Sequence, residues 1–343
     1  MIGLKNASER SWVIMEKPKE NKRPVKVKRW FVFFLLLFIC LIWALGVPAL
    51  HWTKGNVKNM RTRYNSILSP VIMIPGSSAT QNRFDDLVHI LNSKGNKKHS
   101  LLKVKVYNNG RITYDGKIHP GDNEPIIVVG FQNNKDGYSN IKKQAYFFHL
   151  AFNQLSDKYK FNNFKAIGHS NGGLIYTRFF EKYFDDDEVT CKKLMTIATP
   201  YNFSESSISH KTQMLADMIK DRQKIPEDMT VYSVAGTESY ESDGRVPEGS
   251  VRADKYIYQN QVQHFTEITV TGSDAQHSDL PQNKQIVQMI QQYILDFNHG
   301  FRSPQQQGSG SNGGSNSSRQ DSENAKEASN ANVLLTGDDG SQH

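Results

Sequence analysis

The sequence predicts an α/β fold, a mostly parallel central sheet flanked by helices, preceded by one membrane-spanning helix. Three observations carry that expectation. Short apolar runs of strand length recur along residues 66–300. One of them ends in a glycine-framed turn, Gly168-His169-Ser170-Asn171-Gly172, and a helix-compatible segment, Leu174 to Phe184, follows at once. Near the N-terminus, Trp30–Leu50 is an uncharged apolar run close to the ~20 residues a helix needs to cross a bilayer.

Residues 1–29 form a basic stem with nine Lys/Arg against three acids. After the span, the linker 51–65 carries only Lys54, Lys58, Arg61 and Arg63. The larger positive cluster stays inside, so the N-terminus is expected in the cytoplasm and the following domain outside the cell membrane. Trp30, Trp43 and Trp52 suit the membrane interfaces. A cleaved signal peptide is the competing reading, but the apolar stretch is long and no A-x-A site follows it. A buried core helix fits poorly beside a basic stem.

The formal net charge of +8 resides in the stem and linker, and residues 64–301 balance to zero. A neutral domain offers no nucleic-acid footprint. The basic charge sits where anionic lipid is. Cys40 lies in the span and Cys191 in the globular part, so no intradomain disulfide is expected. No Cys/His cluster has zinc spacing, and Asp185-Asp186-Asp187-Glu188 lacks the glycine and final acid of a calcium loop, so no metal or other cofactor is expected. Residues 301–343, rich in Gly, Ser, Asn and Gln, are too poor in apolar side chains to repay ordering and are expected to be disordered.

Within the domain, Val71–Ile74 reads as the first core strand, with Pro75-Gly76-Ser77-Ser78-Ala79 as its turn. Further strands are expected at Lys193–Ala198, Met229–Gly236 and Phe265–Val270. Residues 201–228 separate two of them and contain a helical stretch, Lys211 to Lys220, with Met214, Leu215, Met218 and Ile219 on one side. Two readings of it stand: a lid whose apolar face lines an acyl pocket, or a crossover helix packed on the sheet.

The serine turn matches the nucleophile-elbow pattern G-x-S-x-G in its strand-turn-helix setting. A serine hydroxyl attacks a carbonyl only if it projects from a sharp turn, and the flanking glycines remove side chains that would collide there. Ser170 is therefore the candidate nucleophile, and its partners are sought downstream in the order acid, then histidine. Asp243 follows the strand Met229–Gly236 and His277 follows Phe265–Val270, on the sheet edge where Ser170 emerges. Histidine takes and returns a proton near neutral pH, and the acid orients it. His149, His169, His210 and His264 lie upstream of the serine, beside it, in an insertion or at a strand start. Asp274, Asp279, Glu238 and Glu241 are the competing acids. The oxyanion donors are expected to be the backbone N–H groups of Ser77 and Asn171.

With these segments in order, together with Pro125–Phe131, Ile197-Ala198-Thr199-Pro200-Tyr201-Asn202 and His277-Ser278-Asp279-Leu280, the chain resembles the α/β-hydrolase superfamily, and within it the bacterial cell-surface hydrolases of the DUF915 type. It departs from them in having Asn171 where methionine is usual and Pro75-Gly76 where His-Gly is usual. The resemblance implies the α/β-hydrolase fold and ester-type chemistry, and supplies no substrate, because the family is named for unknown function. The expected reading is a membrane-anchored extracellular serine hydrolase of carboxylesterase or lipase type, acting on a small-molecule or lipid ester. Acyl transfer or peptide hydrolysis on the same fold, and a surface binding module without catalysis, are the alternatives. Oligomeric state is not legible.

Overall fold

Four-residue Val71–Ile74 (β1) is buried on both faces, and it lies at the centre of an eight-stranded sheet. The others are Leu101–Val106 (β2), Ile112–Gly116 (β3), Ile126–Phe131 (β4), Asn163–His169 (β5), Thr190–Ile197 (β6), Thr230–Thr237 (β7) and His264–Thr271 (β8). Their order is β3-β2-β4-β1-β5-β6-β7-β8. All neighbours pair in parallel except β2 with β3. This is the α/β-hydrolase fold. The computed structural model describes residues 28–295 apart from 96, 239 and 240, so the basic stem up to residue 27 and the Gly/Ser-rich tail lie outside the described residues.

Parallel strands buried on both faces read as continuous apolar runs, as β1 and β4 do, and β5, β6 and β7 are legible from the apolar stretches within them. Successive side chains of β1 feed opposite cores. Ile72 and Ile74 join one cluster, while Val71 and Met73 join the other. The first core is built with helices Tyr138–Tyr159 (α3) and Asn171–Lys182 (α4), where aromatic rings meet edge to face, as in Phe148–Phe179 at 4.7 Å between centroids. The second is covered by Asp85–Lys94 (α2) and the C-terminal helix Lys284–Met289.

The hairpin β2–β3 is absent from the expectations above. Its first strand alternates buried Leu102, Val104 and Val106 with Leu101, Lys103 and Lys105, and its turn uses Gly110 at φ +81°. That is the period-two signal of a half-buried strand.

Gln213–Asp221 (α5) turns Met214, Leu215 and Met218 fully inward, into the same core as Tyr201, Ile257 and Tyr258. Thr212 caps its N-terminus, its hydroxyl accepting from the Leu215 N–H. Its apolar stripe is thus buried, packed chiefly against α4.

Arg29–Tyr64 (α1) is one continuous helix of 36 residues. Its first part, Arg29–Lys54, is long and apolar enough to cross a membrane, and none of it is buried against the domain. Residues 51–64, expected as a linker, prolong the same helix past Pro48, with Arg61 and Arg63 favourably placed in the last turn. At its end Arg63 pairs with Asp157 and Glu188, each at 3.0 Å, and Asn162 donates to the Tyr64 carbonyl at 3.0 Å.

Candidate active site

Strand β5 and helix α4 meet at Ser170, whose backbone takes φ +53° and ψ −125°. L-residues reach this conformation only at a cost of roughly 1–3 kcal/mol, so the surroundings must enforce it. They do so by proximity. A β-carbon on Gly168 would come 2.5 Å from the Gly173 nitrogen, and one on Gly172 would strike the Ile74 carbonyl. From the facing loop, a β-carbon on Gly76 would stand 2.7 Å from Cβ of Ser170. The Ser170 N–H is anchored on the Ile197 carbonyl at 2.8 Å. The turn therefore holds one side chain fixed at the start of a helix, where the macrodipole favours developing negative charge.

Asp243 and His277 meet over the ends of β7 and β8. Nδ1–H of His277 donates to Oδ2 of Asp243 at 2.7 Å, and the His277 N–H donates to the Asp243 carbonyl at 2.9 Å. The other carboxylate oxygen accepts from the N–H groups of Arg245 at 3.0 Å and Val246 at 2.7 Å. Both side chains are buried. With Nδ1 holding the proton, Nε2 of His277 is left with a lone pair that can accept one. Of the competing acids, Glu238 accepts from Gln276 at 2.9 Å, and Asp274 accepts from Asn283 at 3.0 Å through its backbone carbonyl.

His169 links the serine to that pair. Its ring lies 4.9 Å from the His277 ring, and its Nε2–H donates to the His277 carbonyl at 3.0 Å. Burial pushes its pKa well below the usual histidine value, and the neighbouring His277 and Arg83 push the same way, so the ring is neutral. From the turn before α2, Arg83 donates to the Ser278 carbonyl, fixing the same loop.

The N–H groups of Ser77 and Asn171 find no acceptor among the described residues, as an oxyanion site requires. The loop between β4 and α3 ties both. Its Asn134 accepts from the Ser78 N–H and donates to the Ala79 carbonyl, both at 2.8 Å. Two residues on, Asp136 accepts from the Asn171 side chain at 2.9 Å and from Gly137 N–H at 2.7 Å. Gln144 braces the loop from α3 through the Asn133 and Lys135 carbonyls. Sequence reasoning missed His169, Asn134 and Asp136 as partners. The polar run Gln132–Asp136 after a strand was the visible signal, but its two attachment points lie far away in the chain.

The described residues include no group of His, Cys, Asp and Glu that could hold a metal ion. What the arrangement offers is a serine on a strained turn, an imidazole oriented by a carboxylate, and a pair of open backbone donors.

A family model described as alpha/beta hydrolase of unknown function, DUF915, matches residues 58–296. Among solved structures, a proposed cell surface hydrolase of Lactobacillus plantarum WCFS1 shares 55% sequence identity over 67% of this chain and 92% of its own, with a TM-score of 0.62. The product of gene lin2722 of Listeria innocua shares 25% identity over 68% of this chain and 96% of its own, with a TM-score of 0.63. No curated protein matches the chain.

Proposed function

The chain belongs to the DUF915 family of alpha/beta hydrolases, and we propose from that premise that it is a membrane-anchored cell-surface serine hydrolase acting on carboxylic esters. The single observation that carries the reading is the Asp243–His277 hydrogen bond at 2.7 Å, closed over the edge where Ser170 is held at positive φ.

In the first half-reaction, Oγ of Ser170 bonds to the acyl carbon while its proton passes to Nε2 of His277. Asp243 stabilises the imidazolium, and the N–H groups of Ser77 and Asn171 receive the oxyanion. The C–O bond to the alcohol then breaks, and the imidazolium returns its proton to the departing oxygen. Water, deprotonated by the same nitrogen, then adds to the acyl carbon, the bond to Oγ of Ser170 breaks, the imidazolium returns its proton to that oxygen, and the carboxylic acid leaves. Neutral His169 keeps a second positive charge away from the imidazolium as it forms. The apolar span Arg29–Lys54 supplies the anchor, and the basic stem before it supports an outward-facing domain.

Purified protein should turn over p-nitrophenyl esters with saturation kinetics somewhere between acetate and palmitate. Folded protein inert across that whole range would contradict the reading.

A further inference from the structure

The polarity of the sheet decides which way the active site looks. Helix α1 ends at Tyr64, and only residues 65–70 separate it from the first residue of β1. The anchor therefore enters the domain at the edge where the parallel strands begin. Its last turn is fastened there, through Arg63 to Asp157 and Glu188 and through Tyr64 to Asn162, the residue before β5. Ser170, Asp243 and His277 all follow the ends of strands parallel to β1, at the opposite edge. Seven residues of β5 alone separate the two edges by ~20 Å. Residues Lys54–Tyr64 of α1 add a rise of up to ~16 Å before the domain begins.

The surface chemistry of the two ends agrees with this. Large exposed apolar side chains among the described residues are those of α1, together with Ile67, Tyr146 and Tyr256. None of them lies in the loops that follow β1, β4, β5, β6 or β8, and those loops expose Ser78, Lys135, Asp136, Glu205 and Ser206 instead. A site that drew its substrate out of a bilayer would need an apolar rim to bury in the headgroup region.

We infer that the active site opens away from the anchoring membrane and takes a water-soluble ester from the aqueous side, not an acyl chain of the bilayer that holds the protein. The inference rests on the serine-hydrolase and anchor readings above and narrows the substrate to a hydrophilic ester. It sets aside the lipid ester that a lipase-like reading allows.

The full chain, reconstituted in phosphatidylcholine–phosphatidylglycerol vesicles, tests it in two independent ways. In a Cys40→Ser background, a donor dye on Asp186→Cys, in the loop before β6, should be strongly quenched by acceptor lipids. The same dye on Arg245→Cys, at the active-site edge, should be quenched several-fold less. Equal quenching, or the reverse order, overturns the orientation. In the second arm, p-nitrophenyl acetate in the bulk phase should be hydrolysed at the rate seen in detergent. A fluorogenic phospholipid in the same bilayer should be cleaved no faster than by Ser170→Ala. Cleavage of that lipid at a rate comparable with the acetate overturns the substrate class. Loss of all Ser170-dependent turnover would bring down the hydrolase reading and the substrate class with it, while the dye pair still decides the orientation.

Discussion

Ser170 stands at a backbone conformation that suits glycine, so its presence there is a cost the fold carries for one hydroxyl. Ser170→Gly should raise the melting temperature by ~2–4 °C, about 1 kcal/mol for a domain of this size, while removing ester turnover. Calorimetry that finds the variant less stable than the parent would argue against strain at the turn. Asp243→Asn should lower kcat by on the order of 10³–10⁴, because an amide supports the wrong imidazole tautomer. Asp274→Asn should fall within about threefold of the parent, since among the described residues its backbone carbonyl is the group that accepts a hydrogen bond; steady-state kinetics with the roles reversed would displace Asp243 as the acid. Asp136→Ala should reduce kcat roughly tenfold with little change in KM, and Asp136→Asn should restore it, because the amide oxygen still accepts from Asn171. Equal losses in both variants would show that the carboxylate charge, not the hydrogen bond, is what matters. Ser170, Asp243 and His277 were legible because each follows an apolar run in the right order. Asp136 and His169 were not, because their roles depend on loops that only the folded sheet brings together.

Helix α4 runs from the serine turn into a buried ionic cluster with α5. Arg178 pairs with Glu181 and reaches Asp221 at 3.3 Å, and Lys182 approaches Asp221 at 2.6 Å. Burial outweighs the attraction of Arg178, and the nearby Asp221 adds to it, so the Glu181 carboxyl is pushed up to about 8. The folded chain then holds this proton more tightly than the unfolded chain. Its stabilising contribution is complete below the unfolded carboxylate range near ~4.3 and is lost as pH rises towards about 8. Glu181→Gln should accordingly lose less melting temperature than the parent between those limits; parallel pH profiles would contradict the assignment. In α5, Met218→Ala should cost ~2–5 kcal/mol by urea unfolding, the price of a core cavity, whereas a free lid face would leave stability unchanged. A Met and Leu stripe at helical spacing reads the same for core and for pocket, so its partner had to be seen. The β2–β3 hairpin escaped because its lysines interrupt the apolar run. The strands of the parallel core did not, since burial on both faces leaves apolar stretches that stay readable even where Lys165, Thr196 and Ser233 fall inside them.

At the scale of the whole chain, the proposed location of the chemistry rests on an apolar span, a neutral domain and a parallel sheet. The charge asymmetry about Trp30–Leu50 predicts that residues beyond Lys54 are cut by protease added to intact cells while full-length protein stays with membranes. A protected domain would reverse the orientation, and a shortened soluble form would point to cleavage after the span. The sheet was readable at this scale because apolar runs of strand length recur in order along the domain. The direction in which the active site faces was not, because it follows from which end of β1 the anchor joins and from the pairing of β1 with β5. The central claim, that Ser170 is an activated nucleophile, is tested most directly by a fluorophosphonate probe followed by peptide mass mapping. The account predicts a single phosphonylated residue, Ser170, with labelling lost in Ser170→Ala and strongly slowed in His277→Ala. Folded protein that fails to react, or that reacts equally well after Ser170→Ala, would contradict it.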